Sequence, residues 1–258
     1  WNETMKLINI YGIASAISYM HKHNILHLDI KPSNTLIDDF IFPKICDFSI
    51  SIKIDNNVIE KVRGTVPFIA PEFCGNSICT YKSDVYSFGI LLYIIKYKKI
   101  PFNKFNKFQY LYLVSIKKER PKLNNSIPEV YQNLIKSCWD DDPDKRPTFD
   151  FIVNELEHNK EFITNGVDES LYKAFIEAVK SEFQNEKLMK SFPPKNLDKL
   201  YSIKKSEMID DPNISYTQYV YLEESFCNDF EDLEEITIIE EDPESTISEY
   251  QSKKTGRK

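Results

Sequence analysis

Apolar positions at the start of the chain recur at helical intervals. Leu7, Ile10, Ile13, Ala14, Ile17 and Met20 fall on one stripe, which predicts an amphipathic helix over 2–20. Gly12 lies inside that stripe and weakens the helix a little. After "HKHN" the pattern changes to short apolar runs at Ile25–Leu28, Thr35–Ile37 and Phe42–Ile45, punctuated by Asn, Asp and Pro. Runs of that length predict small strands and loops. Irregular sequence then continues to Pro71. Beyond it the helical period returns over Ser83–Tyr97, Lys107–Glu119, Pro128–Trp139 and Thr148–His158. Pro128 and Thr148 suit helix starts, where a ring or a hydroxyl reduces the number of orphan N–H groups. Pro101, Pro121, Pro143 and Pro147 fall between the segments, where a missing donor does least harm. The first 160 residues therefore read as a mainly α (α+β) unit, a helical bundle with short β hairpins and a loop-rich entrance.

The character shifts beyond about Lys160. Residues 161–220 predict a partly helical extension, with one or two amphipathic helices over 167–190 and a break at "SFPPKN". Residues 221–258 form an acidic tail. Leu222–Tyr250 carries no Lys or Arg, and a basic end "KKTGRK" follows. Such a charge block resists compaction and predicts disorder, with partners or phosphoacceptors as its candidate roles.

Charge and cysteines narrow the class. The net charge of −7 argues against non-specific nucleic-acid binding. The five scattered cysteines, Cys46, Cys74, Cys79, Cys138 and Cys227, suggest free thiols in a reducing compartment, with the cytoplasm as the expected address. Cys74 and Cys79 have no second Cys/His pair at ligand spacing, so zinc is not expected. His21, His23 and His27 are close in sequence, but two of them sit at a polar helix end that needs no metal. The longest apolar run, "VYSFGILLYIIKY", is too short to cross a membrane and ends in lysines. Membrane insertion is not expected.

The chemistry concentrates in "HLDIKPSN". Asp29, Lys31 and Asn34 fall close together on a predicted loop, and "CDFS" follows with Asp47. Phosphoryl transfer needs a carboxylate for the acceptor hydroxyl, a cation on the γ-phosphate and oxygen ligands for magnesium. Asp38 and Asp39 follow the loop directly and read as a solvated turn.

"HLDIKPSN", "DFS", "GTVPFIAPE", "SDVYSFG" and "CWDDDPDKRP" resemble, in order and spacing, the C-lobe motifs of eukaryotic protein kinases. The detail is most similar to the tyrosine-kinase-like group of Ser/Thr kinases, and the resemblance covers roughly residues 1–158. It implies the C-lobe fold and transfer of the γ-phosphate of Mg·ATP to Ser/Thr hydroxyls of protein substrates. By resemblance Asp29 is the catalytic base, Lys31 the γ-phosphate contact, and Asn34 and Asp47 the magnesium ligands. Leu36 becomes the floor beneath the adenine, and Thr65 bonds to Asp29 and Lys31. Structural roles follow for others. Glu72 pairs with Arg146, Asp84 accepts catalytic-loop N–H groups, Trp139 packs between late helices, and His27 and Phe48 stack in the core.

Three departures qualify the resemblance. Leu28 replaces the Arg before the catalytic Asp, and the segment between Asp47 and Glu72 has few hydroxyls (Ser49, Ser51 and Thr65). The expectation is an activation loop independent of phosphorylation. Ser49 stands where the third residue of D-F-G is glycine, which restrains the Asp47–Phe48 unit. Finally, the six glycines (12, 64, 75, 89, 166, 256) form no G-x-G-x-x-G, and no V-A-I-K-like strand precedes the loop. The expectation is a piece of a longer protein cut at the lobe boundary, inactive alone without an N-lobe. A kinase-like scaffold is the rival reading.

Overall fold

The computed structural model describes residues 1–37, 42–54, 64–74 and 79–184. All of them lie within Trp1–Asp210, one compact unit. Asp38, Asp39, Cys227, the "SFPPKN" break and the acidic tail fall outside the described residues, as does the side chain of Cys74.

Helix α1, Glu3–Lys22, begins where the Asn2 side chain accepts the Met5 N–H at 2.9 Å. A cap of this kind stabilises a helix by about 1 kcal/mol. The helix is buried on nearly every side rather than along one stripe, including Thr4, Asn9, Ser15 and Ser18. It is the central post of the bundle, touched by elements on both flanks. Gly12 has a positive role here. A Cβ at Gly12 would lie 2.5 Å from Pro43 Cγ and 3.2 Å from Phe175 Cζ, so only glycine admits both neighbours.

Two small antiparallel ladders stand at one end. Strand β1, Ile25–Leu26, pairs with β4, Ile52–Lys53; β2, Thr35–Ile37, pairs with β3, Pro43–Ile45, setting Leu36 opposite Lys44. A 3₁₀ turn, Pro32–Asn34, leads into β2. Strand β4 lies in the stretch that the sequence pattern left irregular. Two residues carry no period, and only the distant partner makes them a strand.

The remaining helices are α2 (Tyr81–Tyr97), α3 (Lys107–Leu111), α4 (Glu129–Cys138), α5 (Phe149–His158) and α6 (Glu169–Gln184). Helix α2 starts in a capping box between Thr80 and Ser83. Pro128 and Thr148 precede α4 and α5 as their N-caps. The period over 107–119 does not give one α-helix. Helix α3 passes into a π turn, Tyr112–Ile116. Helix α6, in the segment expected as an extension, packs on α1, with Tyr172 and Phe175 edge-on to Tyr11 and Phe175 stacked on Phe42.

Buried polar groups tie these pieces together. The Arg146 guanidinium, side chain fully enclosed, makes two 2.8 Å bonds to the Glu72 carboxylate and further bonds to the carbonyls of Lys82 and Asp140. Breaking such a pair by removing one partner costs about 3–5 kcal/mol. Lys96, in the last turn of α2, is buried. Its ammonium meets Glu3 at 2.6 Å and lies 3.8 Å above the Tyr131 ring. Burial pushes its pKa down, and the Glu3 carboxylate opposes that shift.

Candidate active site

The site grows from a loop that α2 holds in shape. Asp84, fully buried in the first turn of α2, accepts the backbone N–H of His27 at 2.9 Å and of Leu28 at 2.8 Å. Its Oδ2 also faces His21 Nε2 at 2.9 Å. Leu28 has φ +67°, a left-handed conformation that strains a non-glycine residue by at least about 1 kcal/mol. The tether to Asp84 maintains that conformation and turns the chain toward Asp29.

Asp29 is buried and its carboxylate is fully engaged. Thr65 donates to Oδ1 at 2.9 Å, Asn34 Nδ2 donates to Oδ2 at 2.7 Å, and Lys31 Nζ lies 3.0 Å from Oδ2. Lys31 in turn donates to the Thr65 hydroxyl at 2.9 Å. Asn34 Nδ2 also reaches the Asp29 carbonyl at 2.9 Å. Three side chains from two separate loops thus fix one carboxylate in one orientation.

Asp47 approaches from the second ladder. The Cys46 N–H bonds to the Asn34 carbonyl at 3.0 Å, extending the β2–β3 pairing and bringing Asp47 beside Asn34. Asp47 has φ +61° and an exposed side chain. Bonds from the Ser49 hydroxyl and the Ser49 N–H, the latter 3.2 Å from Oδ1, hold its carboxyl below the usual value of 3.8.

His27 joins the two arms. Its Nδ1 accepts the Asp29 N–H at 3.3 Å, so the ring carries its proton on Nε2, which donates to the Cys46 carbonyl at 3.1 Å. The His27 ring is buried as expected, but Phe48 is not. Phe48 is 53 % exposed and only leans on His27 at 5.3 Å. Leu36 sits on β2 and is also exposed.

The structure therefore brings Asp29, Lys31, Asn34 and Thr65 into direct contact, sets Asp47 next to Asn34, and leaves Leu36 apart on its strand. His21 is the residue that sequence reasoning undervalued. Read as part of a polar helix end, it contacts Asp84 and packs against Tyr81 and Phe149. Its position one helix face before the catalytic loop was the available signal. Trp139 is buried against Tyr93. Ser51 donates to the His27 carbonyl at 3.2 Å, so both Ser51 and Thr65 are occupied within the loop network.

Residues 3–158 match the model of the protein kinase domain, and the chain belongs to the protein kinase family. It is similar to the serine/threonine/tyrosine-protein kinase HT1 of Arabidopsis thaliana, 35 % identical over 156 residues. The dual specificity protein kinase shkC of Dictyostelium discoideum is 36 % identical over 152 residues. A second protein of that organism, named "Probable serine/threonine-protein kinase", is 36 % identical over 145 residues. These matches cover 60 %, 56 % and 56 % of this chain, and 40 %, 30 % and 16 % of the three relatives. The chain thus spans well under half the length of each.

Members of the family use ATP and a divalent cation, and the residues present fit both. Both N–H bonds of the Asn34 amide are spent on Asp29, which leaves its oxygen as the atom to face a cation. Asp47 adds an exposed, ionised carboxylate. Two hard oxygen donors with room for water and phosphate oxygens suit a hard divalent cation better than a softer metal. Among the described residues no cluster of three or more His, Cys, Asp or Glu forms a separate metal site.

Proposed function

We propose that this chain forms the catalytic-loop side of a serine/threonine kinase. The protein that contains it transfers the γ-phosphate of Mg·ATP to Ser and Thr hydroxyls of protein substrates. The observation that carries this reading is the four-way contact of Asp29 with Lys31, Asn34 and Thr65, beside Asp47. An isolated buried carboxylate is costly; one engaged by three donors is oriented.

In this reading Asp29 accepts the proton of the substrate hydroxyl as its oxygen bonds to phosphorus and the bond to the departing diphosphate breaks. Lys31 neutralises charge on the transferred group, and Thr65 keeps Lys31 and Asp29 in register. Asn34 and Asp47 would hold the cation, which would supply positive charge to the phosphate oxygens. The exposed Leu36 offers an apolar surface to the adenine. Free thiols at Cys46 and Cys138 suit a reducing compartment such as the cytoplasm. The absence of an Arg at position 28 favours a loop whose order comes from Ser51 and Thr65 rather than from a bound phosphate.

The test is phosphotransfer from Mg·ATP to a basic protein and to the enzyme itself, comparing the longest natural product that contains this chain with its Asp29→Asn variant. Activity lost in the variant supports the kinase. No activity in either, with no rise in melting temperature on adding ATP, supports the rival scaffold, which Leu28 and Ser49 favour.

A further inference from the structure

Helix α3 and the π turn after it have two unlike faces. The inner face is locked to the loop that bears Thr65. Tyr110 is fully buried, with its hydroxyl 2.5 Å from the Pro67 carbonyl and 3.0 Å from that of Ile69, and Val114 is buried one turn on. The outer face is apolar and open. Phe108 is 64 % exposed, Tyr112 49 % and Ile116 64 %, at intervals of four, with Phe105 at the leading end. Large exposed side chains in a row, rather than scattered singly, mark an interaction surface. A π turn inside a helix is itself a feature that concentrates at functional sites.

The charge along this row is mainly positive, with the exposed Glu119 just beyond its end. From Val85 to Lys118 the chain holds seven lysines and no Asp or Glu. Lys104, Lys107, Lys117 and Lys118 flank the row, and none of them has a carboxylate partner among the described residues. Lys117 lies 5.6 Å from the Tyr112 ring centroid, so cation and aromatic surface are interleaved. Aromatic anchors ringed by unpaired cations complement a ligand with apolar side chains among carboxylates.

We propose that Phe105, Phe108, Tyr112 and Ile116 form a docking surface for an acidic segment of a partner protein, whose apolar side chains seat on the row while its carboxylates meet the flanking lysines. An anionic bilayer shares that chemistry but fits less well. It is an extended plane that meets the chain's overall charge of −7. A short segment samples only the field within a Debye length of about 8 Å. The surface is independent of phosphotransfer, so the proposal stands or fails apart from the kinase reading.

The experiment is fluorescence anisotropy with the full chain and a labelled synthetic peptide of glutamates interleaved with isoleucines and leucines. Control peptides replace either the glutamates with lysine or the apolar residues with serine. Saturable binding is expected for the first peptide alone. It should weaken about tenfold or more in Phe108→Ser and Ile116→Ser, weaken also in Lys104→Glu at low salt, and fall with rising salt in the parent chain, with the variants at unchanged melting temperature. Binding that is absent, or equal in the variants, overturns the proposal. So does self-association abolished by the same substitutions, which would make a second copy the occupant, or binding to phosphatidylserine vesicles without binding to the peptide.

Discussion

The two arms of the site are built in opposite ways. The catalytic loop is held from within: buried Asp84 grips its backbone, and Asp29 is bonded by three side chains. The arm that carries Asp47 is surface structure. Its carboxylate is exposed, Phe48 beside it is exposed, and Ser49 is its local support. In the proposed reading Asp29 is a base that must meet a hydroxyl in a narrow geometry, so its orientation is established before a substrate arrives. In the same reading Asp47 is a cation ligand that must stay hydrated and ionised until the cation comes, and exposure keeps it so.

That contrast can be broken by substitution, beginning where the effect is largest. Asp84→Ala strands two buried N–H groups and the His21 ring, so it should cost about 4 kcal/mol of stability in urea denaturation. A loss under about 1 kcal/mol would mean that the loop holds itself. Phe175→Ala comes next. It removes the ring stacked on Phe42 behind the β2–β3 ladder and should cost about 3 kcal/mol, measured the same way. An equal loss of stability and of Mn²⁺ affinity on that change would show that α6 also supports the cation arm.

Asp47→Ala should reverse the balance. The side chain is exposed, so stability should stay within about 0.5 kcal/mol. Mn²⁺ binding, followed by paramagnetic relaxation of solvent water, should be lost. A large drop in stability would refute the surface character of this arm. The smallest effect concerns its ionisation. Ser49 holds the folded-state value below 3.8, so the favourable contact is complete above the ordinary value and is lost as pH falls through the lowered one. Ser49→Ala removes the hydroxyl and keeps the N–H. The Asp47 carboxyl midpoint in a ¹³C NMR titration should therefore rise toward 3.8 without reaching it. An unmoved midpoint would assign the shift to the backbone bond alone.

Much of this was legible before any coordinates. The α1 period and the Pro128 and Thr148 starts are local features, set within a turn of the residues they stabilise. The grouping of Asp29, Lys31 and Asn34 follows from their spacing on one loop, and the resemblance to protein kinases implied the Glu72–Arg146 pair. Other features had no local signal. Strand β4 exists because β1 pairs with it, Lys96 is buried because Glu3 and Tyr131 surround it, and Phe48 is exposed although it is aromatic. His21 gains its role only because α2 brings Asp84 to it from sixty-three residues away.

The chain by itself therefore determined where most of the helices form and that Asp29, Lys31 and Asn34 share one loop, because helical period, caps and loop spacing act over a few residues. Only the tertiary structure decided that α1 is enclosed on all sides, that Gly12 is required where Pro43 and Phe175 converge, and that Asp29 is rigid while Asp47 is open. Those properties depend on which distant groups displace water from a side chain, and no short stretch of sequence contains its own neighbours.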